Sequence, residues 1–231
     1  MLCHLLFDYQ VGTVPSTAIP GEEAPAILDG SLVGDVGFDP CFLSTKADLT
    51  ANYFNGILNT NIDGLTWYRE AELMHGRICM LAVVGFIWPG FGTFAGNDWT
   101  GPDAFSYTNP LEAFSKAPSA SLFQILAFMS FLEFRRIYTI TSEGSSYMAG
   151  DAQKWGQGPG RWNPFGFDYT PEEYKEKQLQ ELKHARLAMI GFLGVVFQAN
   201  ASGVGVVDQL GSAFVAPEYY TKAGYFLPEG I

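Results

Sequence analysis

Two short stretches constrain this chain more than any other feature. Glu72-Leu-Met-His-Gly-Arg77 leads into the apolar run ICMLAVVGF, and Glu181-Leu-Lys-His-Ala-Arg186 leads into LAMIGFLGVVF. Glu72, Leu73, His75, Arg77, Met80 and Gly85 recur at a constant offset as Glu181, Leu182, His184, Arg186, Met189 and Gly194. A lone Glu or Arg at the centre of a bilayer costs about 2.5–3.5 kcal/mol on insertion scales, so charges at the head of such helices need partners. Five residues of α-helix turn about 140° past a full circle, so Glu72 and Arg77 diverge on their own helix. The repeat supplies the alternative. Two helices crossed as a symmetric pair would bring Glu72 to Arg186 and Glu181 to Arg77. Small residues in both copies (Gly76, Ala82, Gly85; Ala185, Gly191, Gly194) would permit the close approach.

The apolar patterning predicts long helices over 66–88, 119–140 and 171–200 and a short amphipathic helix over 204–214. They fall in a single domain, 1–231, whose residues 1–65 read as loop because Gly, Pro, Asp and Asn are dense there. Thr66 reads as the cap of the first helix, Pro89-Gly90 as its stop, and Pro171-Glu172-Glu173 as the start of the third. No segment has eighteen uninterrupted apolar residues, yet each long helix covers the ~20 residues that cross a bilayer once its polar groups are accounted for. The charged head is N-terminal in both copies and one long helix lies between them, so the first and third would cross in the same direction. Lys46, Arg69, Arg135, Arg136, Lys154, Arg161, Lys175, Lys177 and Lys183 then fall on the N-terminal side, and only Lys116 and Lys222 on the other. Basic residues concentrate on the side where translation occurs. The fold class expected is an all-α membrane protein of three transmembrane helices, the first and third crossed as a pseudo-twofold pair, with a short C-terminal amphipathic helix.

Composition excludes other classes. Only 16% of residues are charged and 15% are aromatic, which leans towards a membrane setting. A net charge of -11 argues against a nucleic-acid partner, which needs a basic footprint. Cys3, Cys41 and Cys79 have no zinc-site or redox-pair spacing. GQGPGRWNPFGF lacks the strand-turn-helix context of a phosphate cradle and reads as loop. MLCHLLFDYQ is too short and too acidic for a transit peptide.

His75 follows Glu72 by three residues and His184 follows Glu181 by three, so each pair shares a helix face. One such histidine reads as a hydrogen-bonded core residue; two, each beside an intramembrane charge, read as ligands. Glu-x-x-His on two helices is also the spacing of di-iron carboxylate enzymes, which add a Glu from each of two further helices. This chain has three long apolar helices, one suitable carboxylate (Glu133) in the middle one, and an Arg two residues after each His.

REAELMHGRICMLAVVGF and QELKHARLAMIGFLGVVFQA resemble the first and third membrane helices of the light-harvesting chlorophyll-binding antenna family. GDVGFDP resembles the family's stretch before the first helix, and FLEFRR its Glu-x-x-Arg motif in the second. The resemblance covers roughly Leu28 to Ser202. It implies that Glu72 and Glu181 ligate chlorophyll magnesium while paired to Arg186 and Arg77. It also implies axial ligands at His75, at His184 (where many members have Asn), at Gln198, and at Glu133 supported by Arg136. Gln124 lies near the family's middle-helix glutamine, but its spacing to Glu133 departs by one residue from the green-plant pattern. The plant family's histidine in the C-terminal amphipathic helix has no counterpart. The cofactors implied are chlorophyll a, with chlorophyll c as the accessory form, and xanthophyll carotenoids. Carotenoid grooves would be lined by Met80, Gly85, Met189 and Gly194. His184 and LEFRR look like the red-lineage branch, whose members often serve photosystem I. The partners implied are photosystem core subunits, neighbouring antenna proteins and thylakoid lipids. The place implied is the plastid thylakoid membrane with the N-terminus stromal. Trp67, Trp88, Trp99, Trp155 and Trp162 read as membrane-interface anchors. An energy-dissipating member of the family stays open as an alternative. Asp98, Asp103, Glu112, Asp208, Glu218 and Glu229 would then sense acidification on the less basic side.

Overall fold

The structure, a computed structural model, describes residues 11–94, 103–150, 155–156, 162–163 and 165–215. It is mostly helical. In chain order the elements are β1 (Val11–Pro15), β2 (Glu23–Pro25), α1 (Ala47–Leu58), α2 (Gly64–Ile87), α3 (Pro110–Lys116), α4 (Ser119–Glu143), β3 (Trp155–Gly156), β4 (Trp162–Asn163), α5 (Pro171–Ser202) and α6 (Val206–Val215). β1 and β2 pair antiparallel, and β3 and β4 parallel. The expectation of an all-α chain is corrected to that extent. Trp99, Asp98, Lys154, Arg161, Lys222, Glu218 and Glu229, together with Cys3 and the side chains of Trp155 and Trp162, lie outside the described residues.

The region 1–65, read as loop, contains a helix. Asn52, Asn55 and Gly56, which signal turns, hide the helical pattern of residues 47–58. Asn55 instead ties the end of the helix to the segment Thr60 to Trp67. Its Nδ2 donates to the Ile62 carbonyl at 2.8 Å, and its Oδ1 accepts from Thr60 Oγ1 at 2.8 Å, Ile62 N at 3.1 Å and Trp67 Nε1 at 3.2 Å. Asn59, at φ 51°, ends α1 in the left-handed conformation that Asn tolerates. α2 begins at Gly64, two residues before the expected Thr66 cap, because Asp63 caps it: Asp63 Oδ2 accepts from Leu65 N at 3.0 Å and its carbonyl from Trp67 N at 3.2 Å. Gly64 is required there, since a Cβ would sit 2.2 Å from the Ala47 carbonyl oxygen. α3 is a second helix outside those the sequence predicts, capped by Asn109 Oδ1 on Leu111 N at 3.0 Å with Pro110 in the first turn. At the start of α5, Thr170 N donates to Glu173 Oε2 at 2.9 Å and Glu173 N to Thr170 Oγ1 at 3.3 Å, a reciprocal capping box.

Among the described residues, two helical segments are long and apolar enough to cross a membrane, Gly64–Gly90 and Pro171–Ser202; α3 and α4, bent by 107°, make a third if counted as one span. Only 11% of the most apolar window of each of the first two is buried, so their apolar side chains face outward.

The chain divides into two compact units, Met1–Met74 with Leu132–His184, and His75–Phe131 with Ala185–Ile231. The first is built on Ala51, Ile62, Trp67, Ile140 and Tyr147, with Leu58 against them. Trp67 therefore belongs to this core, with its N–H on Asn55, and does not serve as an interface anchor; Trp88 is exposed and can. In the second unit α2 and α5 meet. A Cβ on Gly76 would lie 2.3 Å from the Ala185 Cβ, and Phe86 packs edge-on against Phe192 at 5.4 Å. α6 docks in the same unit: a Cβ on Gly90 would meet Val207 at 2.4 Å, and Gln209 Nε2 donates to Ser202 Oγ at 2.6 Å.

Candidate functional site

The two copies of the repeat bury and expose many of the same positions. Leu73 and its counterpart Leu182 are buried, as are Gly76 and Ala185. Ile78 with Leu187, Leu81 with Ile190, Val84 with Leu193 and Trp88 with Phe197 are exposed in both copies. Gly76 and Ala185 are counterparts of one another and touch, which is how a pseudo-twofold crossing point behaves. The upstream turn repeats as well: Gly37 and Gly166, each before Phe-Asp, both take a left-handed backbone at φ 66° and 68°.

The candidate ligands line the outside of these helices. His75 on α2, Gln124 on α4, and His184 and Gln198 on α5 are exposed; Glu72, Glu133 and Glu181 are half-buried, as are Arg77, Arg136 and Arg186. His184 Nδ1 lies 2.8 Å from the Gln180 carbonyl, one turn back. A carbonyl only accepts, so Nδ1 carries the proton and Nε2 keeps its lone pair. An exposed imidazole with a fixed tautomer suits a single metal at Nε2. Glu72 has a local partner absent from the sequence reading, Arg69 at 3.0 Å one turn earlier.

The middle helix carries the most developed charge cluster. Arg136 Nε donates to Glu133 Oε1 at 3.0 Å and Oε2 at 2.9 Å, and its Nη2 also donates to Glu133 Oε1. Its Nη1 donates to Glu70 Oε1 at 3.1 Å. Glu70 is only 2% exposed, and its other oxygen accepts from Tyr147 Oη at 2.5 Å and Gly150 N at 2.7 Å. Arg136 is thereby held between two carboxylates, one buried and one facing out. A carboxylate can enter an apolar setting as a ligand when a guanidinium neutralises it. Sequence reasoning missed Glu70, Tyr147 and Gly150. The available signal was the first of the two carboxylates in REAELMHGR: it lies about 200° around the helix from Glu72 and so needs its own partner.

Among the described residues no group of three or more His, Cys, Asp and Glu side chains gathers to hold a metal ion. A di-iron centre needs such a cluster. The donors here are dispersed, each able to give one bond to one metal.

The chlorophyll A-B binding protein family model matches residues 24–200. The chain is 33% identical over 218 residues to chlorophyll a-b binding protein 6, chloroplastic, of Arabidopsis thaliana, covering 91% of this chain and 79% of that protein. It is 30% identical over 227 residues to chlorophyll a-b binding protein 1B-21, chloroplastic, of Hordeum vulgare, with 95% and 82% covered. It is also 30% identical over 210 residues to photosystem I chlorophyll a/b-binding protein 5, chloroplastic, of Arabidopsis thaliana, with 84% and 74% covered.

Proposed function

The chain belongs to the chlorophyll A-B binding protein family, and from that premise we propose that it is a thylakoid light-harvesting antenna that holds chlorophylls and carotenoids and passes excitation energy to a photosystem. It is not an enzyme: its relatives are chlorophyll a-b binding proteins, and holding pigment makes or breaks no bond. The observation that carries the reading is the dispersed set of single donors on outward helix faces, His75, Gln124, His184 and Gln198, with the Arg-held carboxylate Glu133. Chlorophyll, when bound, supplies the light absorption and the energy transfer. The chain supplies position.

The donor set fits that group. Chlorophyll's magnesium is a hard cation and would accept an oxygen or nitrogen donor from these residues. Neutral imidazole and amide oxygen would serve without adding charge; a carboxylate would do so when an arginine offsets it. We assign His75, His184, Gln124 and Gln198 as neutral ligands, and Glu133 with Arg136, Glu72 with Arg186 and Glu181 with Arg77 as neutralised ones. The cross-repeat pairings rest on the repeat itself, and the contact of Gly76 with Ala185 supports the crossing they require.

The reading extends to three spans, with α3 and α4 counted together, and to α6 as an amphipathic helix. The basic N-terminal side supports a stromal N-terminus. His184 and LEFRR support a red-lineage antenna, with chlorophyll c beside chlorophyll a and xanthophylls at Met80, Gly85, Met189 and Gly194. The similarity to a photosystem I protein of Arabidopsis thaliana supports photosystem I as the acceptor, with neighbouring antenna proteins and thylakoid lipids as further partners. The test is refolding of the full chain with a thylakoid pigment extract in detergent. Chlorophyll should co-purify, and light absorbed by carotenoid should emerge as chlorophyll fluorescence. A folded chain that takes up no chlorophyll would refute the reading.

A further inference from the structure

We propose that α1 is a membrane-interface helix, seated lengthwise at the boundary between lipid headgroups and acyl chains, where it sets the depth of α2. The inference rests on the reading of Gly64–Gly90 as a membrane span.

α1 has three faces. At about 100° per residue, Ala47, Ala51 and Leu58 share one, Asp48, Asn52 and Gly56 a second, and Leu49, Tyr53 and Ile57 a third, each roughly 120° from the next. The first face is turned into the protein: Ala47 and Ala51 are buried and Leu58 packs on the core. The second is polar and borders an open cavity lined by Asp48, Asn52, Asn55, Asn61 and Asp63. The third is apolar and 62 to 66% exposed at each of its three residues. A helix with water on every outer side has no use for an exposed stripe of Leu, Tyr and Ile. A helix lying beside a span, with one flank in water and one in lipid, requires this three-way division.

Its depth is fixed by its contacts. α1 packs on the first turn of α2 through Gly64 against the Ala47 carbonyl, Thr50 Oγ1 with Tyr68 Oη at 2.9 Å, Asn55 with Trp67, and Phe54 against Trp67 at 5.2 Å. The 27-residue span that begins there is about 40 Å long at 1.5 Å per residue, against a hydrocarbon core of about 30 Å. Its first turn therefore lies in the headgroup layer, and the lipid around it reaches α1. Tyr53 adds the aromatic chemistry that this layer favours.

The test is spin-label accessibility on the pigment-loaded full chain in phosphatidylcholine vesicles. Cys3, Cys41 and Cys79 are replaced by Ser, and one label is placed at a time through Leu49→Cys, Tyr53→Cys, Ile57→Cys, Asp48→Cys or Asn52→Cys. Unchanged chlorophyll absorption checks the fold of each variant, and three positions report the same flank. Collision with oxygen relative to a water-soluble nickel chelate should be several-fold higher at 49, 53 and 57 than at 48 and 52. Equal ratios on both flanks would overturn the inference. So would labels at 49, 53 and 57 shielded from both reagents, because a protein would then cover the stripe. A label at Leu81→Cys, on the span itself, separates the two readings. If it reports lipid while 53 reports water, only the interface helix falls; if it too reports water, the span reading falls and carries the inference with it.

Discussion

Arg136 ties the middle helix to α2, because one guanidinium serves the outward Glu133 and the buried Glu70 together. Arg136→Leu leaves Glu70 buried with Tyr147 and Gly150 as its donors among the described residues. Removing one member of such a pair costs about 3–5 kcal/mol. The melting temperature of the pigment-loaded protein should fall clearly, and the chlorophyll assigned to Glu133 should be lost while the one at His75 stays. A second residue-scale expectation concerns His184. His184→Leu should remove one chlorophyll, whereas His184→Asn should keep it, because an amide oxygen can take the same place; pigment counts on the two variants decide this. The sequence announced His75 and His184 because they recur with the same neighbours. Glu70 does not recur. Its partners Arg136, Tyr147 and Gly150 lie 66, 77 and 80 residues away, a distance no local spacing reveals.

Among the elements, the contact of α2 with α5 carries the sharpest expectation. Gly76→Ala places a methyl 2.3 Å from that of Ala185, so one helix must shift. We expect lower thermal stability for Gly76→Ala and recovery in the double variant Gly76→Ala with Ala185→Gly, read by melting curves of the pigmented protein. Failure of the second substitution to rescue would place the crossing elsewhere. The long helices were legible because a sustained apolar run needs only a start and a stop. α1 and α3 were not: Asn and Gly on α1 read as turn residues until their partners are known, and α3 has only seven residues to show a pattern. Asn55, with its four bonds to Thr60, Ile62 and Trp67, is the example. The displaced start of α2 has a similar cause: Asp63 and Thr66 are both competent caps, and the packing of Gly64 on Ala47 favours the earlier one.

At the scale of the whole molecule, the chain as proposed is a frame whose helices each carry ligands on their outward faces. Such a frame exposes apolar helix faces that lipid and pigment must cover, and the low burial of its two clear spans agrees with that. The energy-dissipating alternative gains no specific support. Asp208, one of the acidic groups that would sense acidification, accepts a hydrogen bond from Thr108 at 3.1 Å and so helps to dock α6. Asp98, Glu218 and Glu229 lie outside the described residues. The resemblance of the helix motifs gave the family, and the family model over residues 24–200 agrees with it; the branch and the photosystem served depend on few residues and stay with the proposal. The crossed pairs belong to this scale too: Arg186→Leu should lose the pigment at Glu72 and spare the one at His75. The measurement that tests the central claim most directly is the chlorophyll-to-protein ratio of the refolded chain beside His75→Leu, Gln198→Leu and Glu133→Leu. Each variant should fold and hold about one chlorophyll fewer than the parent, one axial place per donor. A full complement in all three, or a parent that folds without chlorophyll, would contradict the account.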